Sequence, residues 1–270
     1  MELSQARHAF ITGGASGIGL GVAKALAATG IRVTIADVDQ AAIDAAVSEA
    51  GDRFRGVRLD VRDRAGWAVA KAEAEAGFGP VDILFNNAGI ASFGYELADM
   101  DPEAFDQVVA VNLTGVFNGI STFAAGMRER GRGHVVNTSS MAGICASSHG
   151  IGGNYSASKF GVVGLSETLR AELAPHGVGV SVLCPGMIAT GIATNSVKQG
   201  AAVRMPTTSP SSGAARGGTP FESGVVEELA PRVLAGIAAN APYIISHGKG
   251  WWPLAEARHV ALEQAFEGMR

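Results

Sequence analysis

The chain has 270 residues, enough for one large α/β domain with a substantial core. With 47% hydrophobic and 17% charged residues it is neither a disordered tail nor a nucleic-acid arm, and a net charge of −4 leaves no basic surface for polyanions. Two cysteines, Cys145 and Cys184, without a CxxC or a His/Cys cluster at ligand spacing, argue against a disulfide framework and against a metal site.

The opening stretch, MELSQARHAFITGG, runs straight into a strand (8–12) and a glycine turn. It has no room for a signal peptide, and no run approaches the apolar length of a membrane span, so no membrane partner and a cytoplasmic location are expected. The turn ITGGASGIGLG opens a helix over 18–29. Gly13, Gly17 and Gly19 allow the backbone to approach a pyrophosphate, which the N–H groups and dipole of the helix N-terminus would hold. A second strand (32–37) ends at Asp37, about where the carboxylate that holds an adenosine ribose belongs. That carboxylate would repel a 2′-phosphate, and neither Val38 nor Ser16 supplies a cation for one, so NAD is favoured over NADP.

A helix (40–50), a strand (56–61) containing Asp60 and a helix (63–77) follow. The strand 81–89 ends in NNAG, either a cofactor-flanking turn or one that only stabilises the central strand. A long helix (102–129) carries Asn112, a strand (133–140) ends in Ser139-Ser140, and a helix (155–174) begins at Tyr155. Tyr155 and Lys159 stand four apart, on one helix face, either as a proton-transfer pair or as an ordinary helix start. Strands at 178–186 and 243–247 complete a set of seven, apolar on both faces as in a buried parallel sheet. The alternation predicts an α/β fold: a single-domain, Rossmann-type, doubly wound parallel seven-stranded sheet over 1–270, with helices on both faces. The Gly/Ser/Pro/Thr-rich stretch 195–224 reads as a flexible substrate loop or else a loose surface insertion, and 248–270 as a C-terminal extension whose Trp pair either closes the substrate site or packs on a neighbouring subunit.

The ordered set TGGASGIG (12–19), Asp37, LDV (59–61), NNAG (86–89), VNLTG (111–115), VVNTSS (135–140), YSASK (155–159) and PGMIAT (185–190) resembles the short-chain dehydrogenase/reductase family over about two thirds of the chain. The resemblance implies that Gly13, Ser16, Gly17, Ile18 and Gly19 hold the cofactor phosphates, with Asp37 at the ribose. It puts Asp60 and Val61 around the adenine, and Asn87, Ala88 and Gly89 beside it. Asn112, Ser140, Tyr155 and Lys159 would form the catalytic set. Pro185, Gly186, Ile188 and Thr190, with Tyr155 and Lys159, would hold the nicotinamide half. It also implies a small-molecule alcohol or ketone substrate and a homo-oligomer, tetramer or dimer, built on helices 102–129 and 155–174.

A phenol with a pKa near 10 is a poor base at neutral pH, so the Lys159 ammonium and the cationic nicotinamide are expected to lower that of Tyr155. Consecutive strand residues face opposite ways, so only one of Ser139 and Ser140 can reach a substrate, and the family pattern selects Ser140. The interval from Ser140 to Tyr155 is slightly longer than the family's usual one. Ser140, Ala142, Ile144, His149 and Tyr155, together with Met187, are therefore expected to line the substrate pocket, with Cys145 a small apolar wall and Cys184 in the core. RGRGH (130–134) and YIISHG (243–248) are similar to stretches in bacterial Cα-dehydrogenases of aryl ethers, which implies a benzylic or other bulky secondary alcohol. The alternatives are a 3-oxoacyl or hydroxysteroid-type reductase and, outside enzymes, an NAD-binding sensor or a scaffold.

Overall fold

A computed structural model describes residues 3–92, 96–145, 152–201, 224–246 and 250–269. Seven parallel strands form one sheet: β1 (His8–Thr12), β2 (Arg32–Asp37), β3 (Phe54–Arg58), β4 (Ile83–Asn86), β5 (Gly133–Thr138), β6 (Val178–Cys184) and β7 (Tyr243–Ile245). Their order is β3-β2-β1-β4-β5-β6-β7, so the winding reverses between β1 and β4. In open sheets of this kind the crevice beyond the strand C-termini at the reversal is the natural ligand site.

Side chains alternate across the sheet and feed two apolar layers. Ala9 and Ile11 of β1 and Ile83 and Phe85 of β4 face one layer. It is completed by α1 (Gly17–Ala28), α2 (Gln40–Ala50) and α8 (Val226–Ala238). Phe10, Leu84 and Val135 face the other, with α3 (Arg64–Phe78), α4 (Pro102–Val109), α5 (Gly115–Arg130) and α6 (Gly153–Leu173). The second layer is centred on Phe10, Trp67 and Phe123, with ring centroids 5.0 Å to 6.4 Å apart. Aspartates start several helices: Asp39, Asp63 and Asp101 accept from Ala42, Ala65 and Glu103 N–H at α2, α3 and α4.

Three local expectations shift. The third strand begins at Phe54 and ends at Arg58, so Leu59, Asp60 and Val61 lie beyond it. The long apolar pattern at 102–129 is a continuous helical run interrupted by a wide, π-helical turn at Ala110–Thr114. The stretch 195–224 starts within a helix, α7 (Ile192–Lys198), and its residues 202–223 lie outside the described ones. By length and mean hydropathy (1.5) the run Pro102–Arg130 would pass as a membrane span. Yet 56% of that window is buried within the fold, as suits a core helix. The last helix, α9 (Trp252–Glu267), buries only Ala255.

Candidate active site

A cleft of about 880 Å³ runs along the C-terminal ends of the strands, from Asp37 past the glycine turn to Ser140, Tyr155 and Lys159. Its floor is fixed by Thr12, the last residue of β1. The Thr12 hydroxyl accepts the N–H groups of Asn87 (2.9 Å) and Ala88 (3.1 Å), while the Asn87 carboxamide donates to the Thr12 and Gly13 carbonyls. The glycine turn and the NNAG turn are thereby locked together. Gly13 has φ +60°, and a Cβ there would stand 3.0 Å from Ala88 Cα. A Cβ on Gly19 would lie 2.2 Å from the Gly13 carbonyl oxygen, so Gly19 works by close packing beneath the turn and not as part of the cleft lining. Gly13, Ser16, Gly17 and Ile18 do line it. This shape, with the free N–H groups of the first turn of α1 beside it, fits the diphosphate of a dinucleotide. Of the two asparagines, Asn86 turns inward and donates to Asn137.

At the far end Asp37 is held by backbone donors, accepting from Val38 (2.8 Å), Ala15 (3.3 Å) and Asp39 (3.3 Å). Asp39 and Val38 line the cleft with it, which adds a second carboxylate at that end. Asp60 also lines it, but both its oxygens already accept from Arg62 at 2.7–3.1 Å. That hydrogen bond, ahead of the opposing effect of burial, holds the Asp60 carboxyl below its ordinary pKa. Val61 lines the cleft, and its carbonyl accepts the Trp67 and Asn118 side chains.

The catalytic candidates meet where β5 ends and α6 begins. Both Ser139 and Ser140 border the cleft, but their hydroxyls are used differently: that of the buried Ser139 donates to the Lys159 carbonyl at 2.8 Å, whereas that of Ser140 hydrogen-bonds Tyr155. Ser140 Oγ also accepts from Ala142 N–H at 3.1 Å, which fixes its rotamer. Lys159 Nζ donates to the Thr138 carbonyl at 2.9 Å and stands 5.5 Å from the centre of the Tyr155 ring. Burial pushes the ammonium down to about 8. Cys184 is the other ionisable group coupled to it, but burial pushes that thiol up to about 12, so it carries no balancing charge at neutral pH.

Tyr155 departs from expectation in one respect. Its phenol sits above its ordinary pKa, because burial outweighs the hydrogen bond with Ser140. The lysine beside it does not by itself reverse this, since its own charge is poorly solvated. Asn112 is 0% exposed and lies behind the cleft, absent from its lining. Its carboxamide pairs with both backbone groups of Ile90 (2.9 Å each) and donates to Ser158 at 3.2 Å. The wide helical turn carries that side chain inward.

Pro185, Gly186, Ile188 and Thr190 line the cleft, as do Ala88, Gly89, Ala142 and Met187. The Pro185 carbonyl accepts Met141 N–H at 2.9 Å, and the Gly186 N–H donates to Ser246 at 2.9 Å. Ile144 does not line the cleft but packs against the core that includes Tyr155 and Cys145. A one-turn helix at Met141–Gly143 turns the chain away after Ala142. His149 lies outside the described residues. Thr12 and Thr138 lie inside TGGASGIG and VVNTSS, yet the sequence assigned neither a role; the structure gives Thr12 the joining of the two turns and the Thr138 carbonyl the ammonium of Lys159. Asn195 and Lys198, at the start of the stretch read as a substrate loop, and Trp251, one of the Trp pair, also line the cleft, though the sequence named none of the three as site residues. Among the described residues no cluster of His, Cys, Asp or Glu is placed to hold a metal.

Residues 7–201 match the family described as short chain dehydrogenase. The chain is 41% identical over 201 residues to a C alpha-dehydrogenase of Sphingobium sp. (strain NBRC 103272 / SYK-6), covering 73% of this chain and 65% of that one. It thus spans slightly less than two thirds of that relative's length. It is 34% identical to 3beta-hydroxysteroid dehydrogenase 2 of Eggerthella lenta, over 82% of this chain and 88% of the other. A short chain dehydrogenase/reductase of Burkholderia phymatum, solved in complex with NAD, superposes with a TM-score of 0.84 at 32% identity, covering 98% of this chain and 97% of that one.

Proposed function

Because this chain belongs to the short-chain dehydrogenase/reductase family, we propose that it is an NAD-dependent oxidoreductase interconverting a secondary alcohol and a ketone. The observation that carries the reading is the shared cleft: Asp37 at one end, Ser140, Tyr155 and Lys159 at the other, the glycine turn between. Two carboxylates at the adenosine end favour NAD over NADP, and the Burkholderia phymatum neighbour holds NAD.

Oxidising an alcohol removes a hydride from carbon, for which a bound dinucleotide would supply the acceptor, and a proton from oxygen, which this chain must accept. Tyr155 Oη would accept that proton as the phenolate, a form that a bound cationic nicotinamide together with Lys159 would favour against burial, and would donate it when the ketone is reduced. Ser140 hydrogen-bonds the substrate oxygen and stabilises the charge that develops there. Lys159 holds positive charge beside the phenol and is long enough to reach ribose hydroxyls. Asn112 is a positioning residue that pins Ile90, and through it the end of the NNAG strand, to the helix carrying Ser158.

For the substrate we favour a bulky aryl or benzylic alcohol. Trp251 and the half-exposed Met187 line the cleft, an apolar and aromatic wall suited to a ring, and the Sphingobium relative is a C alpha-dehydrogenase. A hydroxysteroid-type substrate is the second reading, supported by the Eggerthella lenta relative and by the same wall. Turnover of aryl, steroid and acyl ketones with NADH separates them, and inactivity on every bulky aryl ketone overturns the first. We also propose a cytoplasmic homo-oligomer assembled partly through α5 and α6, where Phe117 is 45% exposed; light scattering that gives a monomer overturns it.

A further inference from the structure

We propose that Asn195 is a further cofactor-binding residue, the outer wall of the phosphate cradle whose inner wall is the glycine turn. The proposal rests on the dinucleotide reading above. Asn195 Nδ2 donates to Ser16 Oγ at 3.2 Å, joining α7 to the residue that precedes α1. Ser16 has an extended backbone, and its hydroxyl caps no N–H of its own helix. It is therefore available on the cleft side, and Asn195 is the group that meets it. Gly17 closes the same edge against Thr190, with a Cβ position 3.4 Å from that side chain.

The need for such a donor follows from the charges. The cleft is lined by the acids Asp37, Asp39 and Asp60 and, among the described residues, by two cations, Lys159 and Lys198. Lys159 is buried at the catalytic end and already donates to Thr138. A pyrophosphate beside the glycine turn receives backbone N–H groups from the helix side only, and its other face needs donors from across the cleft. Asn195 stands there, and Lys198, one helical turn on, lines the same cleft. The donor is held firmly. Next to it the fully buried Ser196 accepts Ala91 N–H at 2.9 Å, and Gln107 donates to the Gln199 carbonyl at 2.7 Å.

Equilibrium binding of NADH, ADP and adenosine to the full-length protein tests this. Replacing Asn195 by Ala removes one hydrogen bond to an anion and is expected to weaken NADH and ADP by roughly 10- to 100-fold. Asn195→Asp sets a carboxylate against the phosphates and should weaken both further, less so at high salt. Adenosine, which lacks phosphate, should bind all three proteins alike. Unchanged affinity for NADH and ADP in both variants overturns the proposal, as does an equal loss for adenosine, which would mark a merely structural role. A wild-type protein that binds none of the three overturns the dinucleotide reading itself.

Discussion

The ammonium of Lys159 lies 5.5 Å from the centre of the Tyr155 ring and donates at 2.9 Å to the carbonyl of Thr138, two residues before Ser140. One cation thus ties the phenol on α6 to the strand that presents the serine. Replacing Tyr155 by Phe keeps the buried ring and removes the proton-transfer oxygen. The kcat should fall by about 100-fold or more, with NADH affinity nearly unchanged. Steady-state rates near those of the wild type would end the assignment.

Burial sets the sign of the pH dependence. Tyr155 lies above its ordinary value in the free protein, so it stays protonated at neutral pH, and its folded-state pKa exceeds that of the unfolded chain. Its contribution to stability is present below the unfolded pKa and lost as pH rises through the folded one. Lys159 behaves oppositely: pushed down to about 8, it binds fewer protons than in the unfolded chain from there up to its ordinary value, and stability rises with pH across that window. Absorbance titration at the tyrosinate band, wild type minus Tyr155→Phe, should show no phenolate from Tyr155 below about pH 10. A step near neutrality would contradict this.

Cofactor choice should respond to Asp37 and Asp39 together, because both line the adenosine end. Asp37→Ser alone removes a carboxylate that also accepts three backbone N–H groups, so NADH binding weakens and NADPH gains little. The double variant with Asp39→Ser should move the ratio of kcat/KM for NADPH over NADH upward by about tenfold or more relative to wild type. An unchanged ratio would exclude these carboxylates as the source of the preference.

Asn112→Ala strips partners from the buried N–H and C=O of Ile90, along with a bond to Ser158. Urea unfolding should show a loss of about 2–4 kcal/mol. A stability within experimental error of wild type would mean that the wide turn relaxes without it.

Trp251→Leu keeps an apolar wall but removes the aromatic face. The ratio of kcat/KM for a benzylic alcohol over a small aliphatic secondary alcohol should fall by about 3- to 10-fold. Equal losses on both substrates would make Trp251 a packing residue.

The sheet was readable because short β-branched or apolar stretches such as those of β1, β4 and β6 alternate with alanine-rich helices, three of them capped by aspartate. The glycine turn and YSASK were readable because their chemistry requires fixed spacing. Asn112 was harder: its number placed it mid-helix, but only tertiary structure shows its carboxamide paired with Ile90. The extent of β3 was misread, since LDV is apolar enough to continue a strand, yet Asp60 turns out to pair with Arg62. The Gly/Ser/Pro/Thr-rich loop and the Trp pair marked the regions of Asn195 and Trp251, but that these two side chains line the cleft depends on where α7 and the start of α9 pack, which no local pattern encodes. The direction of the Tyr155 shift was missed for a similar reason, as burial is a property of the fold.

The wide turn at Ala110–Thr114 acts as a phase shifter in the longest helical run. An α-helix advances about 100° per residue, so one additional residue in the turn rotates everything after it by about that angle. The rotation brings Val116, Ile120, Phe123 and Met127 onto the core side while leaving Asn112 pointing at Ile90. A change of length in this run is therefore more disruptive than a substitution at an exposed position. A one-residue deletion near the turn would put either the apolar face or the asparagine out of phase.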